Sequence, residues 1–374
     1  MAEIKKRLAS LDIFRGLTVA AMILVNTPGD WEQIYTPLEH STWNGCTPTD
    51  IVFPAFLFIV GVSIVYALQS KRNKYELHGS ILLNAFKRMG FLIIFGLGIF
   101  YFYRPSFNTL RYPGVLQRIG VVYFIAVFCY LKVSVRVITY VIVFCLLGYY
   151  VALTCIPLPG GLPPNLNPST NLTAFIDRYI FGTNHLYPYT KYWDPVGLLG
   201  TVPSIGTTLL GVKIGEILKN RLSDDSEKIK KLLICGVSFI LLGLLWGIFF
   251  PINKSLWSSS YVLYTAGICT IIFILIYWWV DVCHKGSVLF GVFLPFGTNA
   301  LSAYILSEIL PGLIDYIRIP VKGGSVSGMK WFYSQVLVLY FPAKTASLLS
   351  AACFVVFIWI IMLVLYKRKI IIKV

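Results

Sequence analysis

Charged residues are scarce in this sequence. They account for 13% of its 374 residues, whereas hydrophobic residues account for 57%. A soluble globular domain is closer to a quarter charged and half apolar, so the shortage of charge excludes an ordinary soluble fold. The apolar residues are collected in blocks of about 17 to 25, the length of a helix that crosses a bilayer. We therefore predict a polytopic membrane protein.

Several chemical motifs are also missing. The sequence has no P-loop, dinucleotide-binding fingerprint, nucleophile elbow or zinc motif. It has eight cysteines, but none of their spacings is typical of a metal site, so no metal is expected. No internal repeat is visible at the level of motifs, which gives no support to an inverted-repeat transporter. The function must therefore depend on polar residues near the ends of the apolar blocks.

Ten apolar blocks predict an all-α protein with about ten transmembrane helices. Membrane spans of this kind are helical, because an open chain in lipid leaves its backbone groups unpaired, and the blocks lack the period-two alternation of a β-barrel. The predicted spans lie at roughly 12–28, 50–69, 89–103, 115–131, 137–155, 198–218, 232–250, 258–279, 288–311 and 343–366.

Basic residues predict the orientation of the chain. Most of the 32 Lys and Arg residues fall in segments that lie inside if the N-terminus is cytoplasmic, which predicts both termini in the cytoplasm. We expect one transmembrane domain over residues 1–374, with outside loops at 29–49, 156–197 and 312–342. The net charge of +16 is explained by basic loops beside anionic lipid, so no nucleic-acid partner is expected.

The first outside loop carries an unusual polar set. The stretch LEHSTWNGCTPTDIVFPAFLFIVG places His40, Asn44 and Asp50 directly before the second span. Histidine changes charge nearest to neutral pH, which suits a general base, although a single loop histidine is often incidental. Asp50 with Thr47 fits a loose capping box, so a structural and a catalytic role are both open for this carboxylate. Asn26, near the outer end of the first span, either faces His40 or bonds to another helix.

Further polar clusters lie at the predicted outer ends of later spans. A guanidinium near the bilayer favours a carboxylate or phosphate partner, while carbonyl groups, lipid headgroups or helix packing offer structural alternatives. Together the clusters predict a polar cavity that opens outward. The residues alone support an enzyme and a transporter equally. The clusters contain Gln117 and Arg118; Asp194; Lys254, Ser258 and Ser260; and Asn299 and Glu308.

Five segments in order resemble the membrane region of heparan-α-glucosaminide N-acetyltransferase and its bacterial relatives. The resemblance implies a transmembrane acyltransferase that moves an acetyl group from acetyl-CoA to an amino sugar such as terminal glucosamine. It also implies an integral protein of the bacterial cytoplasmic membrane and a homodimer. The segments are LDIFRG, HSTWNGCTPTDIVFPAFLFIVG, RYPGVLQRIGVVYF, DPVGLLGTVPSIGTTLLG and NKSLWSSSYVLY.

The resemblance also implies roles for individual residues. The family's active histidine matches His40, and two motif asparagines match Asn26 and Asn44, with Asp50 beside them as a further catalytic candidate. His40 either accepts the amine proton during direct transfer or carries the acetyl group itself. Residues near the other motifs are assigned to cofactor binding or pocket shape: Gln117, Arg118, Asp194, Lys254, Ser258 and Ser260.

Two departures from the family pattern are visible. Val196 stands where the family motif D-P-E-G has glutamate. Any binding role of that carboxylate is therefore absent here or belongs to another residue. The large luminal domain that precedes the core of the animal enzyme is not expected here, and recognition of a sulfated polymer is therefore not expected either. The rival interpretation is a transporter of amino sugars or acylated glycans, with His40 as its proton-coupling group.

Overall fold

A computed structural model describes residues 8–220, 222–285, 290–321 and 324–372. Over these residues the chain is helical apart from its loops and one β-hairpin, which confirms an all-α polytopic membrane protein. The elements are α1 Ala9–Asn26, α2 Val52–Leu68, α3 His78–Tyr103, α4 Val115–Lys132, α5 Val135–Cys155, α6 Leu172–Phe181, α7 Thr201–Leu218, α8 Asp225–Gly247, α9 Ser259–Tyr277, α10 Leu294–Thr298, α11 Ala300–Tyr316, β1 Arg318–Val321, β2 Gly324–Ser327, α12 Gly328–Trp331 and α13 Ala343–Lys367.

Eight helical segments of the described chain are long and apolar enough to cross a membrane. The predicted spans near 198–218 and 288–311 correspond to α7 and to α10 with α11, and these are not among the eight. The number of ten spans, their orientation and the cytoplasmic termini stay predictions. The eight segments are Ala9–Asn26, Pro48–Lys71, Tyr75–Tyr103, Val115–Lys132, Val135–Cys155, Asp225–Gly247, Ser259–Val282 and Ala343–Lys367.

Some elements differ from the sequence-based expectation. Helix α3 begins at His78, whereas the apolar block begins near residue 89, because a helix can continue into polar sequence once its end leaves the apolar layer. The predicted loop 156–197 contains α6, whose start is capped by Asn171: its Oδ1 accepts from the Ala174 N–H at 2.9 Å. The predicted loop 312–342 contains the antiparallel pair β1–β2 and α12.

The described residues divide into two compact units. The first consists of residues up to 40, 47–52 and 275–373. In it α1 packs against α10, α11 and α13. Glycines let α1 and α10 approach closely, since a Cβ at Gly16 would clash with the Phe293 carbonyl oxygen and one at Gly297 with that of Asp12. Asp12 and Arg15, three residues apart on one face of α1, form an ion pair at 3.0 Å.

The second unit consists of residues 41–46 and 53–274. In it α3 packs against α4, and α5 against α7. Helices α2 and α7 touch through small residues: a Cβ at Gly61 would clash with the Thr208 carbonyl oxygen, and one at Gly211 with that of Phe58. Whether the whole chain is one domain, as the sequence predicts, stays a prediction.

Candidate active site

His40 and Asp50 are in direct contact in the first unit. The His40 Nδ1 lies 2.7 Å from the Asp50 Oδ1. The histidine side chain is 49% exposed, whereas that of Asp50 is fully buried. Asp50 lies in the short 3₁₀ turn Pro48–Ile51 that leads into α2. The sequence suggested both residues, and the structure shows that they form a pair.

The capping arrangement expected at Asp50 is confirmed and explains why its carboxylate is fixed. The Asp50 Oδ2 accepts from the Thr47 N–H at 3.0 Å, which is the carboxylate half of a capping box. The Thr47 hydroxyl lies 3.2 Å from the same oxygen and donates to the Glu39 carbonyl at 2.7 Å. The backbone just before His40 is therefore tied to the turn that carries Asp50.

This geometry sets the tautomer of His40. An ionised carboxylate can only accept hydrogen bonds, so the proton of the neutral imidazole lies on Nδ1 and points at Asp50. The lone pair then lies on Nε2, which can take up a proton. A buried carboxylate in this position also stabilises the imidazolium that forms. The pair therefore has the arrangement of a general base and its orienting group.

Asn26 lies at the end of α1, and its side chain is exposed. Its amide hydrogen-bonds to the carboxylate of Glu308 on α11, within the first unit. The sequence named Glu308 only as part of a polar cluster and did not connect it with Asn26. The two residues are far apart in the chain, and no local pattern could have paired them.

Asn44 belongs to the second unit, where the loop before α9 holds it. The Asn253 Nδ2 donates to the Asn44 Oδ1 at 3.2 Å, and the Gly45 N–H donates to the Ile252 carbonyl at 2.7 Å. Gly45 has a φ of 114°, a conformation that favours glycine, which accounts for the glycine that follows Asn44. The sequence places Asn253 in the same polar cluster as Lys254 and gives it no role of its own in the site.

The predicted pocket residues Ser258 and Ser260 are fully buried at the start of α9. The Ser258 Oγ accepts from the Asn253 N–H at 3.0 Å and lies 3.0 Å from the Ser260 Oγ. The Ser260 hydroxyl donates to the Phe250 carbonyl at 2.6 Å. Both serines thus hold the loop that holds Asn44. A direct role in binding a cofactor stays a prediction for them.

Arg118 is also buried, and its contacts lie within the second unit. Its Nη2 donates to the Gly197 carbonyl at 2.7 Å, and its guanidinium lies 5.1 Å from the centre of the Trp257 ring. Its neighbour Gln117 donates from Nε2 to the Tyr112 carbonyl at 3.2 Å. The structure therefore gives both side chains protein partners, and their predicted cofactor contacts stay untested.

Asp194 anchors the turn that contains Val196. Its carboxylate accepts two hydrogen bonds from Arg111, at 2.8 and 2.6 Å, in the bidentate geometry typical of strong Arg–carboxylate pairs. Its Oδ1 also accepts from the Val196 N–H at 2.8 Å. Asp194 and Arg111 therefore fix the conformation of the D-P-V-G segment. A contact of Asp194 with a cofactor stays a prediction.

Asp177 is a buried carboxylate that the sequence analysis missed. It lies on α6, and its Oδ1 accepts from the Leu198 N–H at 2.8 Å. Burial raises the pKa of Asp177 to about 7, against the opposing effects of the Leu198 hydrogen bond and the Arg118 charge. Through Gly197 and Leu198, Asp177 and Arg118 hold the same segment that Asp194 holds.

Lys254 is partly exposed in the loop between α8 and α9, and its predicted contact with a cofactor stays untested. Over the described ranges no three His, Cys, Asp or Glu side chains are placed to hold a metal ion. The expectation that the protein needs no metal stays a prediction.

Comparison with known proteins decides the family. The family model described as "Heparan-alpha-glucosaminide N-acetyltransferase, catalytic" matches residues 7–240. The chain belongs to this family. The mouse protein heparan-alpha-glucosaminide N-acetyltransferase is 32% identical over 366 residues, covering 83% of this chain and 54% of the mouse protein. The human protein of the same name is 32% identical over 374 residues, covering 84% and 55%.

Membership of the heparan-alpha-glucosaminide N-acetyltransferase family confirms the resemblance inferred from the five segments. The chain spans about half the length of the curated relatives that it matches. The family match includes His40, Asn44 and Asp50, whereas the Asn253 loop that holds Asn44 lies beyond the last matched residue.

Proposed function

We propose that this protein is a membrane N-acetyltransferase that moves an acetyl group from acetyl-CoA to the amine of an amino sugar such as terminal glucosamine. Family membership supports the reaction class, since the relatives are named for N-acetyl transfer to a glucosaminide. The observation that carries the proposal for this chain is the contact between His40 and the buried Asp50. A homodimer in a bacterial cytoplasmic membrane belongs to the same proposal.

The proposed chemistry is direct transfer. The amine nitrogen forms a bond to the acetyl carbonyl carbon, the bond from that carbon to sulfur breaks, and the sulfur leaves as a thiolate. His40 accepts the amine proton on Nε2 and returns it to the thiolate, which yields the amide and free CoA. Asp50 holds the imidazole and stabilises its charged form.

Asn26 and Asn44 keep their predicted catalytic role in this proposal. An amide N–H can donate a hydrogen bond to the oxygen of the acetyl group as negative charge develops on it. One well-placed donor of this kind stabilises the transition state by about 3 kcal/mol.

The acyl donor carries phosphates, which need cationic or N–H partners. Arg118 fits that role poorly, because it is 3% exposed and donates to Gly197. Lys254 is partly exposed, so we assign the phosphate contact to it. We assign pocket shape to the residues that fix the surrounding loops: Gln117, Arg118, Asp194, Ser258 and Ser260.

The test uses purified wild type and His40→Ala in detergent, given acetyl-CoA with and without glucosamine, with free CoA followed over time. CoA release that needs the amine and is lost in the variant supports direct transfer. A stoichiometric burst of CoA release without amine supports a mechanism through an acetyl-histidine intermediate instead. If wild type releases no CoA with a panel of amino sugars and CoA does not raise its Tm, the acetyltransferase proposal is rejected in favour of a transporter.

A further inference from the structure

A cavity lies at the C-terminal end of α13, within the first unit. Its volume is about 370 Å³, which is in the range of small-ligand sites. Two lysines line it, and its described lining contains no carboxylate. The chemistry of the lining therefore favours an anion. The lining residues are Thr298, Tyr366, Lys367, Lys369, Ile370 and Ile371.

The backbone turns sharply at the end of α13 and brings both lysines to the cavity. The helix ends at Lys367, and Lys369 has a φ of 55°, a left-handed conformation in which glycine is the usual residue after a helix. The Lys369 N–H donates to the Tyr366 carbonyl at 3.0 Å, and the Ile370 N–H donates to the Leu365 carbonyl at 2.9 Å. A lysine is strained in this conformation, so the turn alone does not explain why a lysine stands there.

The segment after the turn is held by Asn299, which is buried between α10 and α11. Its Nδ2 donates to the Ile370 carbonyl at 3.0 Å, and its Oδ1 accepts from the Ile372 N–H at 3.0 Å. The sequence groups Asn299 with clusters at outer span ends, whereas these contacts are with the segment after α13. The turn is thus fixed on both sides, by the helix before it and by Asn299 after it.

Three consecutive cations occupy this turn. Lys367, Arg368 and Lys369 are exposed, and none of the salt bridges among the described residues involves them. Basic side chains in the last turn stabilise a helix end, which accounts for Lys367 but not for the cation on Lys369, beyond the helix. This excess of positive charge favours an external anion as its partner.

The same segment carries an apolar surface. Ile370, Ile371 and Ile372 follow the cations and are all exposed. Helix α13 is the most apolar of the eight candidate spans in the described chain, so its end lies where the hydrocarbon layer meets the headgroups. At that depth an isoleucine contacts acyl chains, while a lysine beside it reaches phosphate. A free phosphate ion uses the lysines alone, whereas a phospholipid uses both surfaces.

We propose that this cavity binds the phosphate group of an anionic phospholipid, with Lys367 and Lys369 on the phosphate and the three isoleucines beside the acyl chains. The end of α13 is on the side predicted to be cytoplasmic, where anionic lipids attract basic segments. Loose cations attract such lipids over a whole surface, whereas a fixed turn beside a cavity selects one lipid position. The site takes part in no step of the proposed reaction and is independent of that proposal.

The experiment titrates the delipidated full-length protein in detergent with dioleoyl-phosphatidylglycerol or dioleoyl-phosphatidylcholine and counts bound lipid by native mass spectrometry. The two lipids share their acyl chains, and only the first carries a net negative charge. We expect wild type to bind phosphatidylglycerol at least about tenfold more tightly than phosphatidylcholine. Because a ligand of the native state raises its stability, phosphatidylglycerol should also raise the Tm.

Two variants test the lysines separately. Lys367→Gln should weaken phosphatidylglycerol binding by about fivefold, the factor for one lost basic contact with anionic lipid. Lys132→Gln is the matched control, because Lys132 is also an exposed cation that ends an apolar helix, α4, and it does not line the cavity. It should change binding by less than about twofold. Lys369→Gly should weaken binding by about fivefold and leave the Tm of the lipid-free protein unchanged or higher, because glycine adopts a positive φ without strain.

Equal binding of the two lipids by wild type would overturn the inference. Equal losses in Lys367→Gln and Lys132→Gln would overturn it as well, since the charge of the whole surface would then attract the lipid. Inorganic phosphate and CoA serve as water-soluble competitors, and displacement of phosphatidylglycerol by either one at equal concentration would reject the lipid as the ligand. If Lys367→Gln does not fold, Lys369→Gly keeps the test open, because glycine suits the turn.

Discussion

Replacing Asp50 by Asn removes the negative charge beside His40 and keeps the size of the side chain. The contact between His40 Nδ1 and Asp50 Oδ1, at 2.7 Å, holds the imidazole proton on Nδ1. An asparagine amide can donate to Nδ1 instead, which would place the proton on Nε2 and remove the lone pair that accepts the amine proton. The substitution is therefore expected to lower kcat.

The size of this effect follows from the exposure of the two side chains. In the serine-protease triad the same exchange lowers kcat by about 10⁴-fold. Here His40 is 49% exposed, while Asp50 is buried, so water can take over part of the role of the carboxylate once its charge is removed. We expect kcat for CoA release to fall by about 10²-fold, with little change in KM for the amine. The fold should survive, because an asparagine Oδ1 can still accept from the Thr47 N–H, at a cost of about 1 kcal/mol.

The assay is amine-dependent CoA release measured across a pH range for wild type, Asp50→Asn and Thr47→Ala. Thr47→Ala is the comparison variant: it removes the hydroxyl that bonds to Glu39 and lies 3.2 Å from the Asp50 Oδ2, but it leaves the charge of Asp50 and the backbone N–H that binds it. It should lower stability by about 1 kcal/mol and leave kcat within about threefold of wild type. Unchanged kcat in Asp50→Asn, or an equal fall in both variants, would refute a catalytic role for the pair.

Two further predictions concern the second unit. Burial raises the pKa of Asp177 to about 7, above the usual value of about 3.9. The folded state therefore binds this proton more tightly than the unfolded state does, and the free energy of unfolding falls as pH rises from about 4 to 7. Asp177→Asn should remove that loss, and its Tm should therefore rise relative to wild type between pH 4.5 and 8; parallel Tm curves would contradict this. Gly211→Val should abolish folding, because its side chain would clash with the Phe58 carbonyl oxygen, whereas Gly148→Ala has no atom within 4 Å of the new Cβ and should leave the yield of monodisperse protein unchanged.

The helices could be predicted largely because membrane spans leave a local signal. The block that became α5 was predicted at 137–155 and is Val135–Cys155, since length and hydropathy are properties of a continuous stretch. Helix α3 begins well before its apolar block, because hydropathy reports where lipid contacts the chain and not where the helical hydrogen bonds begin. The β1–β2 hairpin was missed for a related reason: a short pair in a polar loop has no hydropathy signal.

In the candidate site, too, contacts within one turn could be predicted from the sequence, and contacts between distant segments could not. The capping box of Thr47 and Asp50 spans one turn, so its spacing was enough to predict the contact. The glycine after Asn44 could be recognised as part of a motif, but the reason for it, a positive φ at Gly45 beside the Asn253 loop, depends on a distant segment. No local pattern predicts the raised pKa of Asp177, because the shift arises from burial that α6 acquires only in the folded unit.

The sequence by itself determined the class of protein, most helix positions, the family and His40 as the candidate base. Each of these depends on composition, on local spacing or on motif order, which a chain carries before it folds. Only the tertiary structure decided which polar groups are partners: Asp50 for His40, Glu308 for Asn26, Arg111 for Asp194. The last two pairs join residues far apart in the chain, and their contacts exist only because packed helices and loops bring those residues within hydrogen-bonding distance.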